Sequence, residues 1–382
     1  MINVIGYLSA GLGLGTAARA TVRSLIDAGI PVSTVDVELP DNRSYLDMRW
    51  SHLNAQPHEL QHPINIWHLN PLDARMVRER YPMIEQGRFN ATVPFWELSR
   101  PPLDWLAALS GYDLMLAPSR FIEGVFSGDT STSVRYYPLG MEPVAVQESG
   151  TIRQRFHIPL ETFCFYTAFD LNSSIQRKNP IAAVRAFSLA FGARTDVTLV
   201  IKINGSLADP RAHELRTILE RVKNVAVIEE YVSYEDTIAI VGACDAFLSL
   251  HRAEGFGFGP FEAMTLGKPV VATGWSGNMD YMDETNSLPV QYVLTPVSAL
   301  IRDYSQLRFD RTAYWAEPDV HHAATLMIRL VSDREYAATI GERARQKAAE
   351  RNTDFLSGKS IEVLLAAYGA RQFARATGAY SG

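Results

Sequence analysis

The chain of 382 residues is short of cysteine, of basic charge and of long apolar runs, and each shortage excludes something. Its two cysteines, Cys164 and Cys244, sit in the apolar runs CFYTAF and CDAFLSL without metal-ligand spacing. They read as core thiols in a reducing compartment, not as a disulfide framework or a zinc site. The 36 Lys and Arg are outnumbered by 42 Asp and Glu, a net charge of −6. Binding nucleic acid as a main partner calls for a basic excess, so that class drops out, while a local basic pocket stays compatible. No apolar run approaches the ~20 residues that cross a bilayer, and the opening MINVIGYLSAGLG carries no basic leader, so the expected location is the cytoplasm. Peripheral contact with the inner membrane face stays open, without a strongly amphipathic basic helix to support it. Low-complexity tracts, short repeats and a convincing Asp-x-Asp ligand pair are missing as well, so no metal is expected.

What is present is an alternation of strand-like and helix-like segments over a length that calls for two domains. INVIGYL (2–8), PVSTVDV (31–37), INIWHL (64–69), ATVPFWEL (91–98), DLMLA (113–117) and VRYYPLG (134–140) read as strands. Helical stretches such as TAARATVRSLIDAG (16–29), PLDARMVRERY and PSRFIEGVF lie between them, the pattern of a parallel sheet with crossover helices. The polar, proline-broken stretch at 141–160 marks a boundary. A second alternation follows, through CFYTAFD (164–170), DVTLVIKIN (196–204), NVAVIEE (224–230), DAFLSLH (245–251) and KPVVATG (268–274). The expectation is an α/β protein of two Rossmann-like, doubly wound domains, 1–148 and 149–359, facing a cleft, with a C-terminal helix at about 360–382 packing back on the first. Ligands of such sheets bind beyond the strand ends, which directs attention to the loops there.

The run HRAEGFGFGPFEAMTLGKPVVAT (251–273) is the most informative. Gly255, Gly257 and Gly259 permit unusual φ angles and close backbone approach, Pro260 suits a first helical turn, and Gly267 suits a helix stop. Strand, glycine loop, helix and strand in this order leave free N–H groups at the helix start, an anion site. Glu254 and Glu262 bracket the loop, and ionised carboxylates accept hydrogen bonds from the vicinal hydroxyls of a ribose or a hexose. The simpler reading is that both only charge the helix N-terminus. A second cluster, FDLNSSIQRKNP (169–180), puts Arg177 and Lys178 at a helix entry, where a basic pair opposes the macrodipole and a bound diphosphate would explain it. His251 either orients Glu254 or only packs.

The glutamate-x7-glutamate spacing, continued through ATGWSGNMDYM (272–282), resembles the motif of the GT4 family of retaining GT-B glycosyltransferases. The resemblance implies that Glu262 binds the nucleotide ribose, that Glu254 lies by the hexose ring, and that the backbone at Phe256, Gly257, Phe258 and Gly259 contacts sugar hydroxyls. It implies Lys178 and Arg177 on the donor phosphates. In the commoner family spacing the Arg sits some residues earlier, where this chain has Asp170 and Asn172. Retention then proceeds without an enzyme nucleophile, the departing phosphate taking the acceptor proton on the same face. The implied partners are a nucleotide-sugar donor, GDP-mannose before a UDP-hexose, and a saccharide or lipid-linked glycan acceptor in bacterial surface glycan synthesis.

Other expectations concern the cleft walls. Asn172, Asn204 and Tyr231, at strand ends, would line the donor pocket, the last two around the base. GLGLG (11–15) would let backbone at Gly13 and Gly15 approach phosphates or acceptor. The same loop, with Asp36 about 20 residues on, is the best case for a rival NAD-dependent oxidoreductase, although G-x-G-x-G is the wrong spacing. His68 and Glu97 near predicted strand ends would point into the cleft, the latter in FWELSRPPLDW, which resembles a segment of bacterial GT4 enzymes. Sugar-nucleotide epimerase or phosphorylase chemistry on the same fold, and a silent carbohydrate-binding protein, are the remaining alternatives.

Overall fold

The computed structural model describes residues 1–39, 46–142, 148–298, 301, 304 and 307–376. The first sheet contains β1 (Ile2–Gly6), β2 (Val32–Asp36), β3 (Ile64–His68), β4 (Phe89–Thr92), β5 (Leu114–Ala117) and β6 (Val134–Tyr136), in the order β2-β1-β3-β4-β5-β6. All of its pairings are parallel. Every residue of β1, β3, β4 and β5 is buried, as expected where helices cover both faces of a parallel sheet. Its helices are α1 (Gly13–Asp27), α2 (Pro71–Arg80), α3 (Leu103–Leu109) and α4 (Arg120–Phe126). In α1 the small residues Ala17, Ala18 and Ala20 lie in the core, and Gly29, at φ +69°, follows its end. Strand β4 stops at Thr92, so 93–98, expected as strand, is an irregular segment.

The second sheet contains β7 (Phe163–Asp170), β8 (Val197–Asn204), β9 (Val225–Glu229), β10 (Ala246–Ser249), β11 (Val270–Thr273) and β12 (Leu288–Val290), ordered β12-β11-β10-β7-β8-β9 and again parallel throughout. Counted from β7 this is the 3-2-1-4-5-6 arrangement of doubly wound nucleotide-binding sheets, with its switch point between β7 and β10. Its helices are α5 (Ser149–Arg155), α6 (Ile175–Lys178), α7 (Pro180–Phe191), α8 (His213–Leu219), α9 (Tyr234–Ala243) and α10 (Phe258–Thr265). Helix α5 forms inside the stretch read as a boundary, and Arg153 fastens it to Ala243 O and Asp245 of the second sheet's layer. Cys164 and Cys244 are both free and buried.

Three helices complete the described chain: α11 (Val320–Ser332), α12 (Arg334–Leu356) and α13 (Glu362–Ala376). The last two return to the first sheet. Ser24 Oγ donates to Phe355 O at 2.6 Å, Arg371 pairs with Asp113, and Tyr368 stacks edge-on to Phe89. An antiparallel ribbon absent from the sequence reading, β13 (Tyr292–Pro296) with β14 (Tyr314–Pro318), leaves the second domain and carries Trp315 into the core cluster of Trp96 and Trp105. Tyr314 and Ser99 exchange hydrogen bonds across the same junction. No helix among the described residues is long and apolar enough to cross a membrane.

Candidate active site

The carboxyl ends of β1, β3, β7, β8 and β10 open onto one cleft with a cavity volume of about 670 Å³, lined from both domains. That size suits a bound small molecule rather than a solvent-filled groove. The second domain supplies the charged part. Ser174 caps α6 by accepting from Arg177 N, so Arg177 and Lys178 lie in the last turn of that short helix, where the dipole favours cations. The macrodipole conflict expected from the sequence is therefore absent. Asn179, at φ +53°, turns the chain from α6 into α7.

Arg177 is buried, donating to Ala253 O and Ser173 Oγ, both at 2.9 Å, and lying 3.4 Å from Glu254 and 3.5 Å from Glu97. Lys178 Nζ donates to the other oxygen of Glu254 and stays 26% exposed to the cavity. Burial alone would raise the Glu254 carboxyl. The adjoining Lys178 and Arg177 charges overcome it and hold the group at about 2, so it is ionised at neutral pH.

The glycine loop is held from beneath. Glu254 N donates to Ser276 Oγ, Gly277 N to Glu254 O, and Tyr281 OH to Phe256 O. Gly257 is the cap of α10 at φ +86°, and a Cβ there would meet Tyr281 Oη at 2.8 Å. Gly277 admits no side chain, since a Cβ would lie 2.0 Å from Gly255 O. Phe256, Gly257, Phe258 and Gly259 all line the cavity at the start of α10, the kind of helix end that suits an anion. His251 bonds Ser249 and Asn278, not Glu254, and burial pushes it down to about 4, so it is a neutral packing residue.

Glu262 is as buried as Glu254 and is hydrogen-bonded by Tyr234. Burial lifts its carboxyl to about 7 against the opposing pull of Lys178 and Lys202. Beyond it, Asp170, Asn172, Lys202, Asn204 and Tyr231 line the same wall, with Asn172 Nδ2 donating to Tyr231 Oη at 3.1 Å and Lys202 bonding Asn204. Lys202 is buried and pushed down to about 8 by desolvation. The sequence reading passed over it, although a lone charge inside the apolar run VTLVIKIN is the signal that could have found it. Tyr234, Arg19 and Asp73, also lining the cavity, were missed too.

On the first domain, Gly13 begins α1 and lines the cleft, as does Glu97, which burial and the neighbouring Glu254 raise above the ordinary carboxylate range against Arg177 and Lys178. Two expected residues do not reach it. Gly15 is buried, and its Cβ position lies 2.5 Å from the carbonyls of Tyr7 and Ala10, so it is a packing glycine. His68 has no exposure, both ring nitrogens lack a partner, and burial drives it down to about 3. It packs inside the sheet as an uncharged ring beside Gly6. Asp36, the ribose ligand of the oxidoreductase reading, instead accepts from Ser9 N at 3.1 Å and fixes the β1–α1 loop.

Residues 172–347 match the family model of glycosyl transferases group 1. The fold extends the likeness to the whole chain. HepE of Anabaena, solved with UDP-glucose, is 15% identical with a TM-score of 0.66 over 96% of this chain and 99% of its own. Sucrose-phosphate synthase from Thermosynechococcus elongatus is 14% identical with a TM-score of 0.65 over 98% and 99%. The α,α-trehalose 6-phosphate synthase from Burkholderia multivorans is 11% identical with a TM-score of 0.64 over 98% of each chain. These likenesses establish the two-domain GT-B architecture. No curated protein matches the chain in sequence.

Proposed function

We propose that this glycosyltransferase is a retaining, metal-independent enzyme of the GT4 type, which moves a hexose from a nucleoside diphosphate on the second domain to a saccharide or lipid-linked glycan acceptor on the first. The observation that carries the reading is the convergence of Glu254, Glu262, Arg177, Lys178 and the N-terminus of α10 on one cleft at the switch point of a nucleotide-type sheet. Glu262 accepts the ribose hydroxyls. Lys178, Arg177 and the α10 amides stabilise the charge that grows on the pyrophosphate as the anomeric C–O bond breaks, an effect typically worth ~3–4 kcal/mol per well-placed donor. The acceptor hydroxyl bonds to the anomeric carbon on the face the phosphate leaves, and its proton passes to the departing phosphate oxygen. Positive side chains and helix amides take the part a divalent cation plays elsewhere.

Guanine with mannose is the donor of this reading. The Asp170 carboxylate on the cavity wall offers acceptors for the paired N1–H and amino group of guanine, which uracil does not present, and Lys202 or Asn204 can donate to O6. HepE was solved with UDP-glucose, which makes uridine the alternative to separate. The proposed setting is the cytoplasm, at the inner membrane face where the acceptor is lipid-linked, in surface glycan synthesis. A thermal-shift panel of GDP, UDP, ADP and dTDP sugars tests it, because a ligand at ~100 times its Kd stabilises the native state by ~2.7 kcal/mol. Selective stabilisation by GDP-mannose is expected. Selective stabilisation by UDP sugars would replace guanine by uracil, and no response to any of the four refutes the reading.

A further inference from the structure

The first-domain wall of the cleft carries its own chemistry. At the mouth of β1 and β3, Tyr7, Asn70, Asp73, Phe95 and Glu97 line the cavity opposite the Arg177–Glu254 pair. Asn70 caps α2 with its backbone, and its side-chain oxygen accepts from Phe95 N at 3.2 Å, which fixes the amide on the cavity wall. Asp73 sits in the first turn of α2, where the Tyr7 hydroxyl bonds it, yet burial raises its carboxyl above the ordinary range. Phe95 packs on Phe258 of the glycine loop with ring centroids 5.8 Å apart, an apolar floor that continues from the donor side to this wall.

Among the described residues, the uncommitted charge on this wall has one sign. Arg19, the cation that the first domain contributes among the described residues, is paired with Asp47 at 3.0 Å and donates to Leu8 O and Ala10 O, which leaves it committed inside the domain. Among the described residues, Asp73 and Glu97 have no uncommitted first-domain cation opposite them there. Glu97 shares Arg177 at 3.5 Å with Glu254, and in the proposed function that guanidinium is turned to the donor phosphates. Carboxylates in a partly desolvated wall repel a second anion and accept hydrogen bonds from hydroxyl groups.

We propose that Asp73, Glu97 and Asn70 form an acceptor subsite that takes an uncharged, polyhydroxylated acceptor and rejects a phosphorylated one, with Asp73 a specificity-determining residue. The inference rests on the glycosyltransferase reading and adds the class of acceptor to it. The hydroxyls of a neutral sugar donate to the two carboxyls while its C–H face lies on Phe95. A phosphate in that place would face two carboxylates with no uncommitted first-domain cation among the described residues to receive it.

The test uses the full chain with the donor selected by thermal shift. Nucleotide release is measured with glucose, mannose, galactose and octyl mannoside, and in parallel with glucose 6-phosphate, mannose 6-phosphate and fructose 6-phosphate. The expected result is stimulation by at least one neutral acceptor, with kcat/KM at least ~10-fold above that of its phosphorylated counterpart, which corresponds to ~1.4 kcal/mol. Asp73→Asn should raise the KM of the neutral acceptor and narrow the gap, and Asp73→Lys should reverse the preference, both with the donor's thermal shift retained. Stimulation by phosphorylated sugars alone, by both sets alike, or by neither overturns the proposal. Loss of the donor's thermal shift in the wild-type protein is a different result, which overturns the glycosyltransferase reading and this inference with it.

Discussion

Replacing Lys178 by Ala separates chemistry from folding, because the residue has little packing to lose and one charge to give. Its Nζ bonds Glu254 at the cavity edge, a quarter exposed, while Arg177 remains 3.4 Å from the same carboxylate. Glu254 is therefore not left unpaired by the change, and the stability cost should be ~1 kcal/mol, the net scale of one hydrogen bond whose acceptor keeps a second partner. On domains of this size that is a fall of ~2–4 °C in Tm. The leaving pyrophosphate loses much more. A unit charge ~4 Å from a developing unit charge at an effective dielectric constant of ~20 contributes ~4 kcal/mol, and removing one aligned donor from an oxyanion site costs ~10²–10³ in rate. We expect kcat and kcat/KM to fall together by that factor, the signature of an interaction made in the transition state. Initial rates of nucleotide release, with melting curves on the same preparations, measure both quantities. Lys178→Arg should recover part of the rate. Turnover of Lys178→Ala within threefold of wild type removes Lys178 from the mechanism, whatever its Tm.

Three further outcomes follow from the buried charges. Lys202 is held near 8, below its ordinary value, so the folded state bears a cost for keeping it charged at neutral pH, relieved only as the pH climbs towards the ordinary lysine range. Lys202→Met should raise stability by on the order of 1 kcal/mol in urea denaturation at pH 7 while weakening donor binding; lowered stability with unchanged donor affinity would refute this. Glu262, raised to about 7, keeps a proton in the native state that the unfolded chain has released, so its burial cost grows between about 4.5 and 7 and is constant above. The carboxylate accepts both ribose hydroxyls, so the donor KM should fall as the pH rises from 5.5 to 7.5, and Glu262→Gln should flatten that profile; an unchanged slope in the variant assigns the titration elsewhere. His68, uncharged down to about 3, makes the native state lose stability as the pH drops below the ordinary histidine value of about 6.5, since the unfolded ring takes up a proton that the native one refuses. His68→Leu should reduce that acid sensitivity and keep turnover within twofold, and a larger loss of rate would return His68 to the cleft chemistry.

Both sheets were legible because a parallel strand buried on both faces must be apolar along its length, and INVIG, INIWH, FCFYTAFD and VTLVIKIN say so without reference to distant residues. The second-domain site was legible for a related reason. Its chemistry is local in the chain: Arg177 and Lys178 follow one strand, and Glu254 to Glu262 follow another, so the spacing itself places them at the switch point. What escaped was set by contacts across long separations. The β13–β14 ribbon shows no alternation of burial, since Tyr292, Val293 and Leu294 are all exposed, and only its docking against Trp96 and Ser99 gives it a place. Segment 93–98 reads as strand by composition, yet its neighbour β5 pairs only Ala91 and Thr92 of β4, and the chain then departs to deliver Glu97 into the cleft.

The same distinction explains which glycines and histidines were misplaced. A glycine is chosen either so that a ligand can approach or so that the chain can, and GLGLG contains both kinds two residues apart. Gly13 opens on the cleft against Phe258, whereas Gly15 closes on the carbonyls of Tyr7 and Ala10. His68 ends β3 as Asp170 ends β7, but His68 has no exposure and stays off the cavity, whereas Asp170 lines it. Parity fixes only the face: Cys164 and Tyr166, on the face of Asp170, belong to the same core cluster as Ile64 and Ile66, so the difference lies in what that face meets at the end of the strand. Ile64 and Ile66 belong to the same core cluster, so His68, two residues further, is committed to that face before its own chemistry is considered.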